Sequence, residues 1–515
     1  MKDYLERILR ARVYDVAIET PLELALHLSS RLKNKIWLKR EDLQSVFSFK
    51  LRGAYNKMAS LSADDLKKGV IASSAGNHAQ GVALAASRLG CRAVIVMPVT
   101  TPKMKVRLVA AHAAEVVLCG DTYDEAYKEA RRLEKEQGLC FVHPFDDPDV
   151  IAGQGTVGLE ILRQLSAPPT AIYIAVGGGG LIGGVSAYIK SLWPEVEIIG
   201  VEPAAAATMT RSLEVGRRIK LERIGIFADG VAVKEVGENT YSLATKYVDS
   251  MITVSTDEIC AAIKDVFEDT RSILEPAGAL AIAGMKADIA QRKLENSSLV
   301  AIACGANINF DRLRFVAERA ELGEDREVIL AVVVPERPGT LQHLCEIIGE
   351  RNLTEFSYRM SDPDFAKILL GVQTSGLEDI HQVIETLKVA EYSCLDLSKN
   401  ELAKRHIRYM IGGHLPEYGT SLFGGERQEL IYRFEFPERP GALLQFVSEL
   451  YPTWSISTFH YRNDGADVGY VVVGVLVAKS EYIEWENFLK RISYRYWDES
   501  DNQVYDLFLG KSNSK

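Results

Sequence analysis

The C-terminal part of this chain repeats itself, and a repeat leaves few folds open. The strand-like run 328–334, followed by Pro335-Glu336-Arg337-Pro338-Gly339-Thr340-Leu341, recurs as 430–436 followed by Pro437-Glu438-Arg439-Pro440-Gly441-Ala442-Leu443. Downstream, Phe356-Ser357-Tyr358-Arg359 recurs as Phe459-His460-Tyr461-Arg462. Each copy reads strand, helix, two strands, helix, strand. The proline at each first helical turn sits where its missing N–H costs nothing. The repeat therefore predicts two α+β modules of βαββαβ type, over residues 328–400 and 426–511, and the residues before them must bury a core of their own. With 515 residues, the chain is long enough for two to four domains.

Over residues 36–310, short β-branched runs (36–38, 93–97, 115–118, 171–176, 197–201, 299–303) alternate with helical stretches such as 80–89 and 124–136. Continuous apolar strands between helices indicate an α/β domain with a parallel sheet covered on both faces. Its ligands should sit beyond the carboxyl ends of the strands. The charged stretch 311–327 reads as a connector rather than core, with the first domain ending near 320 and the link itself at 321–327.

Composition narrows the partners. A net charge of −10, with no Lys/Arg stripe against it, excludes a nucleic-acid footprint. No apolar run is long enough to span a bilayer, so a membrane partner is not expected either. The seven cysteines (91, 119, 140, 260, 304, 345, 394) are spread out without a Cys-x-x-Cys pair. That pattern predicts reduced thiols in the cytoplasm, and residues 1–15 lack an apolar export core.

Four stretches carry chemistry. Ser48-Phe49-Lys50 follows a strand-like run and places a lysine among apolar neighbours, where desolvation disfavours the ammonium and frees the amine for Schiff-base chemistry. Ser74-Ala75-Gly76-Asn77-His78 opens a helix with small residues whose amides suit a carboxylate, and Asn77 offers an amide to a ring oxygen. Alone, the loop reads as an N-cap rather than a ligand site, and His78 as a structural hydrogen-bonder rather than a base. Gly177-Gly178-Gly179-Gly180, between a strand and a helix, lets backbone N–H groups close on a phosphate. It also contains Gly178-x-Gly180-x-x-Gly183 with Glu202 downstream, which fits a dinucleotide fingerprint and makes a nicotinamide oxidoreductase the second reading. Cys304-Gly305-Ala306-Asn307 ends a buried strand and sets a thiol where a ring nitrogen would find an uncharged partner.

In order and spacing, these stretches resemble the fold-type II (tryptophan synthase β-like) pyridoxal phosphate enzymes, and within them the threonine deaminases with their serine dehydratase and serine racemase relatives. The resemblance covers residues 5–320. It implies pyridoxal phosphate as cofactor, Lys50 as the lysine bound to it and Phe49 flanking its ring. Asn77 would bond the ring 3′ oxygen, Gly177, Gly178, Gly179, Gly180 and Leu181 the phosphate, and Cys304 would face the ring nitrogen. Ser74, Ala75, Gly76, Asn77 and His78 would hold the substrate carboxylate. Where the racemases have a serine base, this chain has Ala75, so racemisation is disfavoured. Where they have a second carboxylate beside Glu202-Pro203, it has Thr208, so no metal ion is expected. The implied reaction converts L-threonine to 2-oxobutanoate and ammonia: Lys50 removes the Cα proton and the β-hydroxyl leaves with proton assistance from the cofactor phosphate. Some L-serine deamination should accompany it.

The repeated half resembles the two ACT-like regulatory subdomains of biosynthetic threonine deaminases. It implies inhibition by L-isoleucine, opposition by L-valine and a homotetramer, at the first committed step of isoleucine biosynthesis. Tyr358, Arg359, Tyr461 and Arg462 are candidates to border effector pockets, and equally ordinary cross-strand pairs. A third reading, a silent amino-acid sensor, has no use for Lys50.

Overall fold

In the computed structural model the short apolar runs become strands, and the central ones are buried on both faces. The structure describes residues 2–310, 312–337, 339–359, 364–400, 403–404, 427–437, 442–450, 454–462, 468–492 and 494–501. The chain separates into two compact units, Met1–Gly323 and Glu324–Lys515.

The first unit holds two sheets. One contains β1 (Leu22–Leu24), β2 (Lys35–Arg40), β7 (Ala171–Ala175), β8 (Glu197–Pro203), β9 (Ser250–Val254) and β10 (Ser298–Ala303), in the order β1-β2-β10-β7-β8-β9. All its pairs are parallel except β1–β2. The other contains β3 (Val70–Ser73), β4 (Ala93–Met97), β5 (Glu115–Leu118) and β6 (Cys140–Phe141), parallel throughout in the order β5-β4-β3-β6. Strands such as β4 and β7 are buried at every residue, as sheets covered by helices on both faces require. The four chemical stretches leave the carboxyl ends of β2, β3, β7 and β10, where ligands of such sheets bind.

Within the stretch 311–327, residues 312–320 are core rather than the connector the charge pattern predicts. Residues Arg312–Ala320 form a helix whose Val316 and Ala320 join the core of the first unit. Arg319 pairs with Asp257 at 2.8 Å and Lys264 with Glu321, so the charges that read as solvated belong to a packed face. Glu327 already opens the next strand.

The second unit is one antiparallel sheet of β11 (Glu327–Pro335), β12 (Leu353–Arg359), β13 (Phe365–Gln373), β14 (Ser393–Asp396), β15 (Arg427–Pro437), β16 (Ser455–Arg462), β17 (Val468–Ala478) and β18 (Arg495–Asp498). Their order is β14-β11-β13-β12-β16-β17-β15-β18. Each copy contributes four neighbouring strands, and β12 pairs with β16 to fuse them. The pairing centres on Ser357 opposite His460, which occupy the same place in the two copies, so a local two-fold runs through the seam. Period-two burial of Val328, Leu330, Val332 and Val334 is repeated by Leu430, Tyr432, Phe434 and Phe436, and all eight line one core. The duplication reaches finer detail. Each copy has a bulge, between Leu353 and Glu355 and between Ile456 and Thr458. At each, a hydroxyl donates to a glutamate, Thr354 to Glu327 at 2.5 Å and Ser457 to Glu429.

Candidate active site

Lys50 owes its position to a pairing between two loops. Ser48 bridges Gly305, Phe49 N–H donates to the Cys304 carbonyl at 3.3 Å and Ala306 N–H to Phe47 at 2.9 Å. Asn307 Nδ2 adds a bond to the Val46 carbonyl at 2.8 Å. The end of β10 is thereby laid against residues 46–49, bringing Cys304 beside Lys50. Phe47 takes the left-handed conformation (φ 56°) just before this pairing, a local strain held by the bonds around it. Lys50 begins the helix Lys50–Ala59, and its Nζ donates to the Pro144 carbonyl at 2.8 Å, 5.4 Å from the Phe49 ring centroid. Burial lowers its pKa to about 8, with Cys304 and Glu275 pulling the other way. Near neutrality a useful fraction of this amine is therefore unprotonated.

The acceptor of Lys50 lies in a segment that the sequence reading passed over, residues 143–147. His143 Nδ1 accepts the amides of Phe145 and Asp146 at 3.3 and 2.8 Å, and burial keeps the ring neutral with a pKa of about 4. The Phe145 ring lies against Gly178, where a Cβ would come within 2.2 Å of it. Asp146 receives the amides of Glu238 and Asn239 at 2.8 and 2.9 Å, which start one helix. Asp147 receives those of Asp149 and Val150 at 2.8 and 3.2 Å, which start another. The available signal was Asp147-Pro148, an N-cap followed by a first-turn proline.

The glycine loop meets the requirements of a phosphate cradle. Gly179 has φ 92°, a turn that suits glycine, and a Cβ on Gly177 would lie 2.8 Å from the Val231 backbone. Thr240 Oγ1 donates to the Gly178 carbonyl at 2.6 Å and holds the loop in shape. Among the described residues no acceptor takes the amides of residues 177–181, which open at the N-terminus of the helix Gly180–Leu192.

The loop 74–78 is narrower than its sequence implies. Ser74 N–H donates to Val96 and Gly76 N–H to Ser74 Oγ, each at 3.2 Å, leaving the amides of Ala75, Asn77 and His78 for an anion. His78 Nε2 donates to the Val142 carbonyl at 2.9 Å, and burial holds its pKa down at about 3, so it is a neutral structural group. Asn77 Nδ2 donates to Glu275 Oε1 at 2.5 Å while its Oδ1 accepts from Asn307 Nδ2 at 2.7 Å. Cys304 donates to the Ala277 carbonyl at 3.3 Å, and burial pushes its thiol well above the usual range, so it stays uncharged. Glu275, absent from the sequence candidates, is the carboxyl group of this cluster. A cavity of about 460 Å³, lined in part by Phe47, Gln80, Lys105 and Asn307, gives a small molecule room beside it.

Glu202 settles the second reading. Its carboxylate is 0% exposed and receives Met209 N–H and Thr210 N–H at 2.8 Å each and Thr210 Oγ1 at 2.6 Å. A group committed to a helix N-terminus cannot also bind a ribose, so the nicotinamide expectation is overturned. Thr208 donates to the Val233 carbonyl at 2.6 Å.

In the second unit, Tyr358 stands opposite Phe459 and Tyr461 opposite Phe356 across the β12–β16 seam. Tyr358 donates to Glu336 at 2.5 Å, tying the seam to the Pro-Glu-Arg loop. Arg359 and Arg462 lie in the same strands, and their side chains fall outside the described residues.

The family of pyridoxal-phosphate-dependent enzymes matches residues 13–305, and the C-terminal regulatory domain of threonine dehydratase matches 318–407 and 423–509. The chain is 53% identical over 510 residues to the biosynthetic L-threonine dehydratase of Burkholderia multivorans, covering 98% of this chain and 99% of that protein. It is 47% identical to the Escherichia coli enzyme of the same name, covering 98% and 97%. Among solved structures, processed threonine deaminase isoform 2 of Solanum lycopersicum aligns with a TM-score of 0.61 and 55% identity, covering 62% of this chain and 88% of that one. The cofactor chemistry implied by the lysine, the glycine loop and the thiol is thus that of its relatives: the chain belongs to the biosynthetic threonine dehydratases, pyridoxal-phosphate-dependent enzymes with a C-terminal regulatory domain.

Proposed function

We propose that this chain deaminates L-threonine to 2-oxobutanoate and ammonia under control of its C-terminal unit. The observation that carries the reading is the desolvated Lys50 amine beside a neutral Cys304, together with a glycine loop whose amides stay open at a helix start. When bound, pyridoxal phosphate would supply an aldehyde for the substrate amine and an electron sink for the pair left at Cα. Lys50 is the base that removes the Cα proton, since a pKa of about 8 leaves it partly unprotonated at neutral pH. The amides of Gly177, Gly178, Gly179, Gly180 and Leu181 would hold the phosphate, Phe49 would flank the ring, Asn77 would donate to the ring oxygen and Cys304 would face the ring nitrogen. Ala75, Asn77 and His78 supply amides for the substrate carboxylate, with Ser74 and Gly76 shaping the loop. Loss of the β-hydroxyl as water leaves an enamine, and water hydrolyses its imine tautomer to the 2-oxo acid and ammonia. L-Serine follows the same course to pyruvate.

The catalytic domain is assigned to 1–320, with the link at 321–327 and the regulatory modules at 328–400 and 426–511. The duplicated unit supports L-isoleucine as inhibitor and L-valine as its opponent, with Tyr358, Arg359, Tyr461 and Arg462 bordering the effector sites. Coupling then has to be reciprocal, isoleucine and threonine weakening each other's binding by one factor. We further assign a homotetramer in the cytoplasm, where the spread-out cysteines stay reduced. The test is release of 2-oxo acid from L-threonine with and without L-isoleucine, by the wild type and by Lys50→Ala. Turnover that falls with isoleucine and vanishes in Lys50→Ala is expected. Activity retained by Lys50→Ala without added amine refutes the assignment.

A further inference from the structure

Glu275 is a buried group of the site that the chemistry above does not use. It occupies the N-cap of the helix Pro276–Arg292, where a carboxylate ordinarily accepts the helix's first amides. Here the side chain caps nothing and turns to Asn77, although it is only 4% exposed. Its place is made by the loop that carries Cys304: Glu275 N–H donates to the Gly305 carbonyl at 3.2 Å, and a Cβ on Gly305 would stand 2.4 Å from Oε1.

An asparagine amide has two N–H donors and one carbonyl. With one N–H on Glu275 and the carbonyl taken by Asn307, Asn77 cannot turn over without setting oxygen against carboxylate and N–H against N–H. We propose that Glu275 is a positioning residue of the reaction centre: by gripping one N–H of Asn77 it aims the other at the ring oxygen of bound pyridoxal phosphate, and it makes that contact sensitive to pH. This rests on the assignment of Asn77 as the ring-oxygen donor. The charged and titratable groups around Glu275 are Asp229, Lys105, Arg312, Lys50 and Cys304. Burial, then Asp229, raise its pKa to about 7, while Asn77, Lys105 and Arg312 oppose them. Above that pH the ionised carboxylate grips Asn77 with a charge-assisted bond, and below it the grip weakens.

The test uses the full chain and reads the cofactor rather than turnover. In wild-type holoenzyme the visible absorbance band is expected to titrate with a midpoint of about 7. Glu275→Gln keeps an uncharged acceptor for Asn77 but has no proton to lose, so it should bind pyridoxal phosphate as the wild type does on the acid side of that midpoint and abolish the titration. Glu275→Ala removes the grip and should weaken cofactor affinity about tenfold, the scale of one hydrogen bond to a charged group. If Glu275 acts through Asn77, the Asn77→Ala/Glu275→Ala pair binds no worse than Asn77→Ala alone. Additive losses, an unchanged titration in Glu275→Gln, or wild-type affinity in Glu275→Ala overturns the proposal. Wild-type affinity in Asn77→Ala alone instead refutes the assignment of Asn77, and the proposal with it.

Discussion

Replacing Arg52 by Met should loosen the catalytic unit without touching the site. Arg52, two residues after Lys50, is 0% exposed and meets two buried carboxylates, Glu41 at 2.7 Å and Glu160 at 2.6 Å. Lys39, also 0% exposed, pairs with Glu160 at 2.7 Å, completing a quartet of two cations and two anions away from water. Met fills similar volume but leaves two carboxylates facing one ammonium. Breaking a buried pair by removing one partner costs about 3–5 kcal/mol, because the charge left behind is uncompensated. At about 1.4 kcal/mol per tenfold, amide protection in β2 and in the helix Pro148–Gln164 should fall by about a hundredfold to a few thousandfold in native-state hydrogen exchange. Amides of β11 and β13, in the other unit, serve as the internal control. The loss should depend on pH. In the wild type Arg52 holds the Glu41 carboxyl below its ordinary value despite its burial, so that pair stabilises above the unfolded carboxylate pKa and is lost as pH falls through the folded one. Without Arg52, desolvation raises the Glu41 pKa and the group takes a proton, so the variant's deficit shrinks on acidification. A loss below tenfold at pH 8, or one that does not shrink at pH 5, refutes the electrostatic account.

Other expectations follow from single contacts. Gly178→Ala would set a Cβ 2.2 Å from the Phe145 ring, so cofactor affinity should drop at least tenfold in a fluorescence titration, and Gly178→Ala/Phe145→Ala should recover part of it. The rate of covalent cofactor capture at Lys50, read by peptide mass after borohydride, should rise with pH through an inflection at about 8; an inflection near 10 would mean a solvated lysine. Gly371→Ala and Gly474→Ala would meet Thr354 Oγ1 at 2.3 Å and Ser457 Oγ at 2.6 Å, so each should destabilise the C-terminal unit by about 1–3 kcal/mol while deamination without effector stays near wild type.

Local chemistry made much of this protein legible in its sequence. The β/α alternation, the four loops at strand ends, Lys50 among apolar neighbours and the doubled βαββαβ pattern all follow from periodicity, turn residues and spacing, which act over a few residues. What stayed hidden depends on partners distant in sequence. Nothing local marks Arg52, Glu41 and Glu160 as buried until the fold closes on them, and nothing local marks Glu275 as part of the site until it meets Asn77, 198 residues away. Residues 311–327 carry the composition of a linker, yet their charges answer charges on a neighbouring helix. Likewise the repeat predicts two modules, but only pairing of β12 with β16 makes them one sheet, because an edge strand's unpaired amides find partners only where the other copy lies. Sequence determined which groups could do chemistry, and tertiary structure decided their charge and aim, since desolvation and hydrogen-bond geometry exist only after packing.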